Sequence, residues 1–299
     1  MTDIPSTTGP VAIVGAGAIG TALAHAFEAA GVHVAAVASR HPDRAMALAG
    51  SLPRAQALSV AEAAAAAPVV LLAVSDSAIE MACEALRPGR GTVVAHTSGS
   101  RPAGALEAAR VSGALVGGFH PLAAVVRATR LSDATPGAYA AIFRGAAFAV
   151  EGDREVQDRL APLAVSLGGH PFAIVAADKP LYHLGASMLA AFSAGLAQIS
   201  WDELRAAGVT PGVASAGVAH LLRTVANNIE RASSPAAALT GPVARGDAGG
   251  VLRQATTAQA LSPEVQALYR VHVLHNIALA RAAGRIDDAT AEMLAKVLE

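Results

Sequence analysis

The feature that most limits what this chain can fold into is the stretch Pro10 to Arg40, PVAIVGAGAIGTALAHAFEAAGVHVAAVASR. Val11 to Val14 is a short apolar run of the kind a buried parallel strand requires. Gly15, Gly17 and Gly20 follow it in G-x-G-x-x-G spacing, before an alanine-rich helix over Thr21 to Ala30. After the Gly31 turn, Val32 to Ala38 reads as a second strand. In that setting each glycine has its own task. Gly15 permits the tight turn, Gly17 lets a pyrophosphate approach the backbone, and Gly20 lets the helix lie against the strand, while the helix N-terminus offers free N–H groups to an anion. Gly15, Ala16, Gly17, Ala18, Ile19 and Gly20 are therefore expected to bind a dinucleotide. A glycine turn kept only for packing is the alternative.

The end of the second strand selects the nucleotide. NAD sites place Asp or Glu there to bond the ribose 2′-OH, whereas this strand ends Ser39-Arg40-His41-Pro42-Asp43-Arg44. Ser39 can donate to a 2′-phosphate, Arg40 can form a charge-assisted fork with it, and Arg44 can add a second cation. The expectation is NADP; the alternative is an exposed polar loop that starts the next helix.

A length of 299 residues suggests two domains. The 53% hydrophobic content and mean hydropathy of +0.45 rest on alanine and valine. No run of ~18 apolar residues escapes a Gly, Pro or charged interruption, so a membrane span is not expected. No basic stretch followed by an apolar one marks a secretory signal, and a cytoplasmic protein is expected. The single cysteine, Cys83, excludes an internal disulfide and a Cys-based zinc site, and reads as a small buried apolar residue. A net charge of −1 and 3% aromatics leave no basic or stacking surface for nucleic acid, so the expected ligand is a small molecule.

Further along, Met1 to Gly9 is polar and flexible. Pro42 to Gly50 reads as a helix, Ala55 to Leu58 as a short strand, and Val60 to Ala67 as a helix. Val69 to Val74 is a buried parallel strand whose end, Val74-Ser75, faces the ligand, and Ser75-Asp76-Ser77 is placed to cap the helix Ala78 to Leu86. Strand Thr92 to His96 leads into Thr97-Ser98-Gly99-Ser100, and strand Ala114 to Gly118 into a loop Phe119-His120-Pro121-Leu122. Ligands of open α/β sheets lie beyond the carboxyl ends of the strands, so these three loops and the glycine turn should line one crevice. Leu131 to Tyr139 reads as a loop, and strands Ala146 to Val150 and Phe172 to Val175 flank a helix Arg154 to Leu167. Beyond Ala176 only helices follow: Leu181 to Ala207, Pro211 to Ala232, Gly249 to Ala258, Pro263 to Gly284 and Asp287 to Leu298. The expected fold is α/β: an N-terminal doubly wound Rossmann sheet, residues 10–175, that binds NADP, then an all-α domain, residues 176–299, for substrate and dimerisation.

The order of that NADP-type domain, the Phe-His-Pro loop, the helix opening Asp178-Lys179-Pro180-Leu181-Tyr182-His183-Leu184-Gly185-Ala186, and above all Ala238-Leu239-Thr240-Gly241-Pro242-Val243-Ala244-Arg245-Gly246-Asp247 resembles the Rossmann-like proteins that carry the domain of unknown function 2520. These look like distant relatives of 6-phosphogluconate dehydrogenase, pyrroline-5-carboxylate reductase and ketopantoate reductase. The resemblance covers nearly the whole chain. It implies an NAD(P)-dependent reductase, commonly dimeric through the helical domain. One departure is Ala191, which stands where the family tends to place an Asn eight positions after the Tyr-His histidine, so a substrate-holding amide is not carried over.

If the cofactor carries a hydride, the protein must supply or remove one proton, which suits histidine. His183 opens the first helix of the second domain and is the leading candidate; Ser187 shares its face, and Tyr182 lies beside it on another. His120 is placed by a strand end and Pro121, and Ser98 with Gly99 offers a hydroxyl and a backbone N–H. The alternatives are a histidine bonded at a domain interface, for His183, and a shaped turn, for His120. His96 reads as structural, and His272 and His275 have no carboxylate in register for a metal. Arg245 and Asp247, between glycines, either touch substrate, in cis or across a dimer, or form a joint between helices. Two functions remain open: a reductase of C=O or C=N bonds in a small polar substrate, towards which the histidines point, and a non-catalytic NADP-binding sensor or scaffold, towards which Ala191 points.

Overall fold

The computed structural model describes residues 9–126 and 135–298; the expected flexible residues 1–8 and residues 131–134 of the expected loop lie outside the described residues. Strands β1 (Val11–Val14), β2 (Val34–Ala38), β3 (Gln56–Ala57), β4 (Val69–Leu72), β5 (Val93–His96), β6 (Leu115–Pro121), β7 (Ala147–Glu151) and β8 (His170–Ala173) form one sheet in the order β3-β2-β1-β4-β5-β6-β7-β8. Every pair is parallel except β6–β7. The winding reverses between β1 and β4, and an open sheet of this kind holds its ligand beyond the carboxyl ends at that reversal.

Successive side chains of a strand point to opposite faces, and here both faces are covered. Ile13 and Leu71 join Leu23, Phe27 and Phe119 on one side; Val14 and Leu72 join Ile79 and Cys83 on the other. Strands buried on both faces read as unbroken apolar runs, which is why they were legible. The covering helices are α1 (Ala18–Ala29), α2 (Pro42–Gly50), α3 (Val60–Ala65), α4 (Ile79–Glu84), α5 (Glu107–Val111), α6 (Pro136–Phe143) and α7 (Arg154–Ser166).

Four expectations are corrected. Helix α1 starts at Ala18 and not Thr21, because Gly17 itself is its N-cap. Ser75 makes no side-chain cap bond; a 3-10 turn, Asp76–Ala78, precedes α4, and the Asp76 carboxylate instead accepts from Ser100 Oγ at 2.6 Å. His120 lies in strand and not in a loop: parallel pairing with β5 ends at Gly118, but the antiparallel partner β7 carries the strand on to Pro121. Pro136 to Tyr139 is helix and not loop, since Thr135 accepts from Ala138 N–H and Pro136 takes the first turn, where its missing donor costs nothing.

The chain forms two compact units, Met1–Ser193 and Ala194–Glu299. The strands end at Ala173, whereas the contacts divide later, within helix α8 (Lys179–Ala206), whose first turns bond to residues of the sheet domain. The second unit holds α9 (Pro211–Arg231), α10 (Ala248–Leu261), α11 (Pro263–Ala282) and α12 (Asp288–Lys296) around Val251, Val273, Ile277, Ala280 and Leu294. Helical residues 176–206 are, by length and composition alone, apolar enough to cross a membrane, contrary to expectation; Gly and isolated polar residues interrupt the run without lowering its average enough. Among the described residues no three His, Cys, Asp or Glu converge as a metal site, and His272 Nδ1 lies 3.0 Å from the Leu268 carbonyl of its own helix.

Candidate active site

The three turn glycines are bare for different reasons. A Cβ on Gly15, which has φ +120°, would stand 2.2 Å from the Ala73 carbonyl oxygen, and one on Gly20 would stand 1.8 Å from that of Gly15. A Cβ on Gly17 would meet nothing within 4 Å. Packing therefore explains Gly15 and Gly20 but not Gly17, whose bareness keeps the space over the turn open. No side chain caps α1 there, so its first N–H groups face that space, and Gly15 N–H donates to Ala38 O at 2.8 Å, tying the turn to the end of β2. Ser39 and the exposed Arg40 follow Ala38 directly; Ser39 Oγ accepts His41 N–H at 3.1 Å. Ala16 is buried, and Val74 lies against the turn with the exposed Ser75 beyond it. These residues fit a dinucleotide phosphate.

A cavity of about 280 Å³ joins the turn to the histidines, lined among others by Ile19, Val74, Ser98, Gly99, His120 and His183. His120 Nδ1 is 2.7 Å from the Tyr182 hydroxyl, with the rings edge to face. Burial, then the charges of His183 and Lys179, push His120 down to about 4, and burial pushes Tyr182 up to about 12, so at neutral pH the imidazole is uncharged and the phenol keeps its proton. His183 Nε2 is 3.3 Å from Ser187 Oγ, while its Nδ1 is buried with no hydrogen-bond partner among the described residues. An unpaired buried polar atom costs about 1–3 kcal/mol, which makes this nitrogen the open valence of the site. Gly99 lies beneath both rings: a Cβ there would be 2.7 Å from His183 Nδ1 and 2.9 Å from His120 Nε2.

Ser98 Oγ accepts the N–H groups of Ser100 and Arg101 at 3.2 and 3.0 Å, so both lone pairs hold the turn and only its O–H remains to donate. Burial works against ionisation of Asp76, but hydrogen bonds from Ser100 and Ser98 outweigh it and hold the carboxyl below its ordinary range. His96 accepts Ser98 N–H at Nδ1 (3.3 Å), and its Nε2 lies 3.2 Å from Pro102 O, which selects the neutral Nε2–H tautomer. Arg245 and Asp247 belong to the second unit. There Arg245 is exposed in the turn Val243–Arg245, and Asp247 caps α10 by accepting Gly250 N–H at 2.8 Å.

Sequence reasoning missed one pair. Lys179, 1% exposed, donates to Glu151 Oε2 at 2.9 Å and to Ser98 O at 3.2 Å, and Glu151 Oε1 accepts Ala103 N–H at 2.8 Å. A signal existed: Lys179 and Lys296 are the two lysines among 22 basic residues, so surface cations here are otherwise arginine.

The depressed His120 pKa has a consequence for folding. The unfolded chain takes up this proton near pH 6.5 and the folded chain only near 4, so stability is lost as pH falls through that window and is fully present above it. Thermal unfolding from pH 7.5 down to 4.5 should show a shallower decline for His120→Gln than for the native chain. Equal slopes would refute this.

Over residues 10–98 the chain matches the family described as NADP oxidoreductase, coenzyme F420-dependent, and over residues 146–275 the domain of unknown function DUF2520. No curated protein matches it. Among solved structures, protein TM1727 from Thermotoga maritima is 24% identical, with a TM-score of 0.69 over 92% of this chain and 99% of that one. The 1-pyrroline-5-carboxylate reductase from Streptococcus pyogenes is 16% identical, with a TM-score of 0.62 over 97% and 100%. The reductive aminase from Aspergillus terreus in complex with NADPH and ethyl levulinate is 20% identical, with a TM-score of 0.58 over 96% and 99%. At such identities the likeness to these structures is one of fold. One family model lies on the first strands of the sheet and the other runs from β7 into α11, so the chain is similar in both parts to the Rossmann-like proteins that carry the domain of unknown function 2520.

Proposed function

We propose that this chain is an NADP-dependent oxidoreductase that transfers hydride between NADPH and the C=O or C=N carbon of a small polar substrate. The observation that carries the reading is the Nδ1 of His183, unpartnered among the described residues, whose ring lines the same cavity as Ile19 of the glycine turn. The NADP oxidoreductase family match, and the reductase and NADPH-bound aminase among the similar structures, support it.

When bound, NADPH supplies the hydride. The Gly15 to Gly20 turn and the first N–H groups of α1 hold its pyrophosphate, Ser39 and Arg40 its 2′-phosphate, and Val74 and Ser75 the wall beside it. His183 exchanges the proton with the acceptor atom. His120, uncharged and bonded to Tyr182, orients that acceptor together with the turn of Ser98 and Gly99; Ser187 sets the His183 ring. In this reading residues 10–175 bind the nucleotide and residues 176–299 serve substrate and dimerisation. A cytoplasmic setting, where reduced pyridine nucleotide is available, belongs to the same proposal.

A screen following NADPH absorbance with panels of keto acids, aldehydes, cyclic imines and a deazaflavin tests it. NADPH binding with no oxidation in any panel would favour the second reading, a nucleotide sensor. That reading draws on Ala191, which is exposed on α8 and offers no amide to a substrate.

The dimer is supported by bare apolar rows: Leu189, Phe192 and Leu196 on α8, and Leu221, Val225 and Ile229 on α9, are exposed. Light scattering at tens of micromolar should give about twice the 29.8 kDa chain mass. A clean monomer would remove the dimer and any contact made across it.

A further inference from the structure

We propose that Lys179 is a positioning residue: its ammonium, anchored by Glu151, holds the Ser98 carbonyl and so sets the Gly99 turn against which the His120 and His183 rings close. The inference rests on the functional reading above only in taking these histidines as the site.

The ion pair ties both ends of one segment. After β5 the chain loops out from Ser98 to Ala103; the Ser98 carbonyl accepts from Lys179 Nζ at 3.2 Å and the Ala103 N–H donates to Glu151 at 2.8 Å. Gly99 lies inside that loop. Lys179 is also the first residue of α8, four positions before His183, so the same ammonium links the loop to the helix that carries Tyr182 and His183. Gly118 leaves the space for this joint, since a Cβ there would stand 3.1 Å from Nζ. Stability alone does not favour the arrangement: a cation at a helix N-terminus is opposed by the helix dipole, and a buried ion pair is often no better than apolar residues of equal volume. What the pair adds is a fixed place for the Ser98 carbonyl, since the Ser98 hydroxyl holds only the Ser100 and Arg101 N–H groups of the turn.

The charge also reaches His120. Among the described residues the titratable and charged groups facing that ring are Tyr182, His183 and Lys179 from α8, Asp76 from the turn before α4, and His96 from β5. Burial and His183 lower its pKa most, and Lys179 adds to them.

The test is the double variant Lys179→Met/Glu151→Gln, which removes both charges without stranding either and keeps an acceptor for Ala103 N–H. In the free protein, the Gly99 amide and the His120 and His183 ring resonances should shift, and the His120 midpoint should rise by about half a pH unit or more. NADPH binding should stay within about twofold, since the glycine turn is untouched. On a substrate from the screen, kcat should fall about tenfold or more with KM changed by less than about threefold. Wild-type Gly99 and histidine resonances in the double variant would overturn the proposal. If that variant does not fold, Lys179→Arg keeps the charge on a bulkier group: a moved Gly99 resonance with a still-low His120 midpoint supports it, and an unmoved Gly99 resonance overturns it. Failure of the native protein to bind NADPH would sink the reductase reading and leave these resonances to decide the clamp by themselves.

Discussion

Replacing His183 by alanine is expected to lower turnover by about 10²- to 10⁴-fold, the usual contribution of a positioned acid or base, while NADPH binding stays nearly intact. The ring touches the glycine turn only through the shared cavity, so its loss leaves the nucleotide contacts of Gly17, Ser39 and Arg40 in place. One imidazole nitrogen is engaged by Ser187 and the other has no partner among the described residues, which is the state of a group awaiting a substrate atom. His120 is a poor substitute as a cationic acid, because at about 4 its pKa leaves almost no imidazolium at neutral pH. Full turnover in His183→Ala, on a substrate the native chain reduces, would move the donor to Tyr182 or His120.

The second large effect is expected at Arg40. Arg40→Ala should weaken NADPH by roughly ten- to a hundredfold and leave NADH nearly unchanged, as loss of a charge-assisted bond worth about 1.5–3 kcal/mol requires. Arg40 is exposed, so screening puts the effect towards the lower end and makes it shrink with added salt. Ser39, whose Oγ already accepts His41 N–H, keeps its own donor for the phosphate. Titration of both nucleotides by fluorescence decides the matter: equal affinity of the native chain for NADPH and NADH would refute the preference.

The readable parts of this fold were those whose causes are local. Gly15 by its φ of +120° and Gly20 by the Gly15 carbonyl are demanded within one strand-turn-helix unit, and Val69 to Leu72 by burial on two faces, so both could be read from neighbouring residues. The strand position of His120 could not, because it depends on pairing with Ala149, which lies far along the chain and runs the other way. The Lys179–Glu151 joint is hidden for the same reason: it spans 28 residues, and its third member, Ser98, is 81 residues from Lys179. Ser98 was readable as a site residue but not in its detail, since only the folded turn shows two backbone donors occupying its oxygen. At Pro136 the cap signal was present in Thr135, and turn-forming neighbours outweighed it.

The scarcity of lysine turns the buried joint into a reporter. Lys296 is exposed and should acylate at once with an amine reagent, whereas Lys179 can react only while the Ser98 to Ala103 segment and the start of α8 are apart. Its labelling rate, read by mass spectrometry against Lys296 in the same molecule, therefore measures how often this corner opens, an equilibrium distinct from global unfolding. A nucleotide that braces the corner would slow that chemistry, so occupancy could be followed by a covalent mark before any substrate is known.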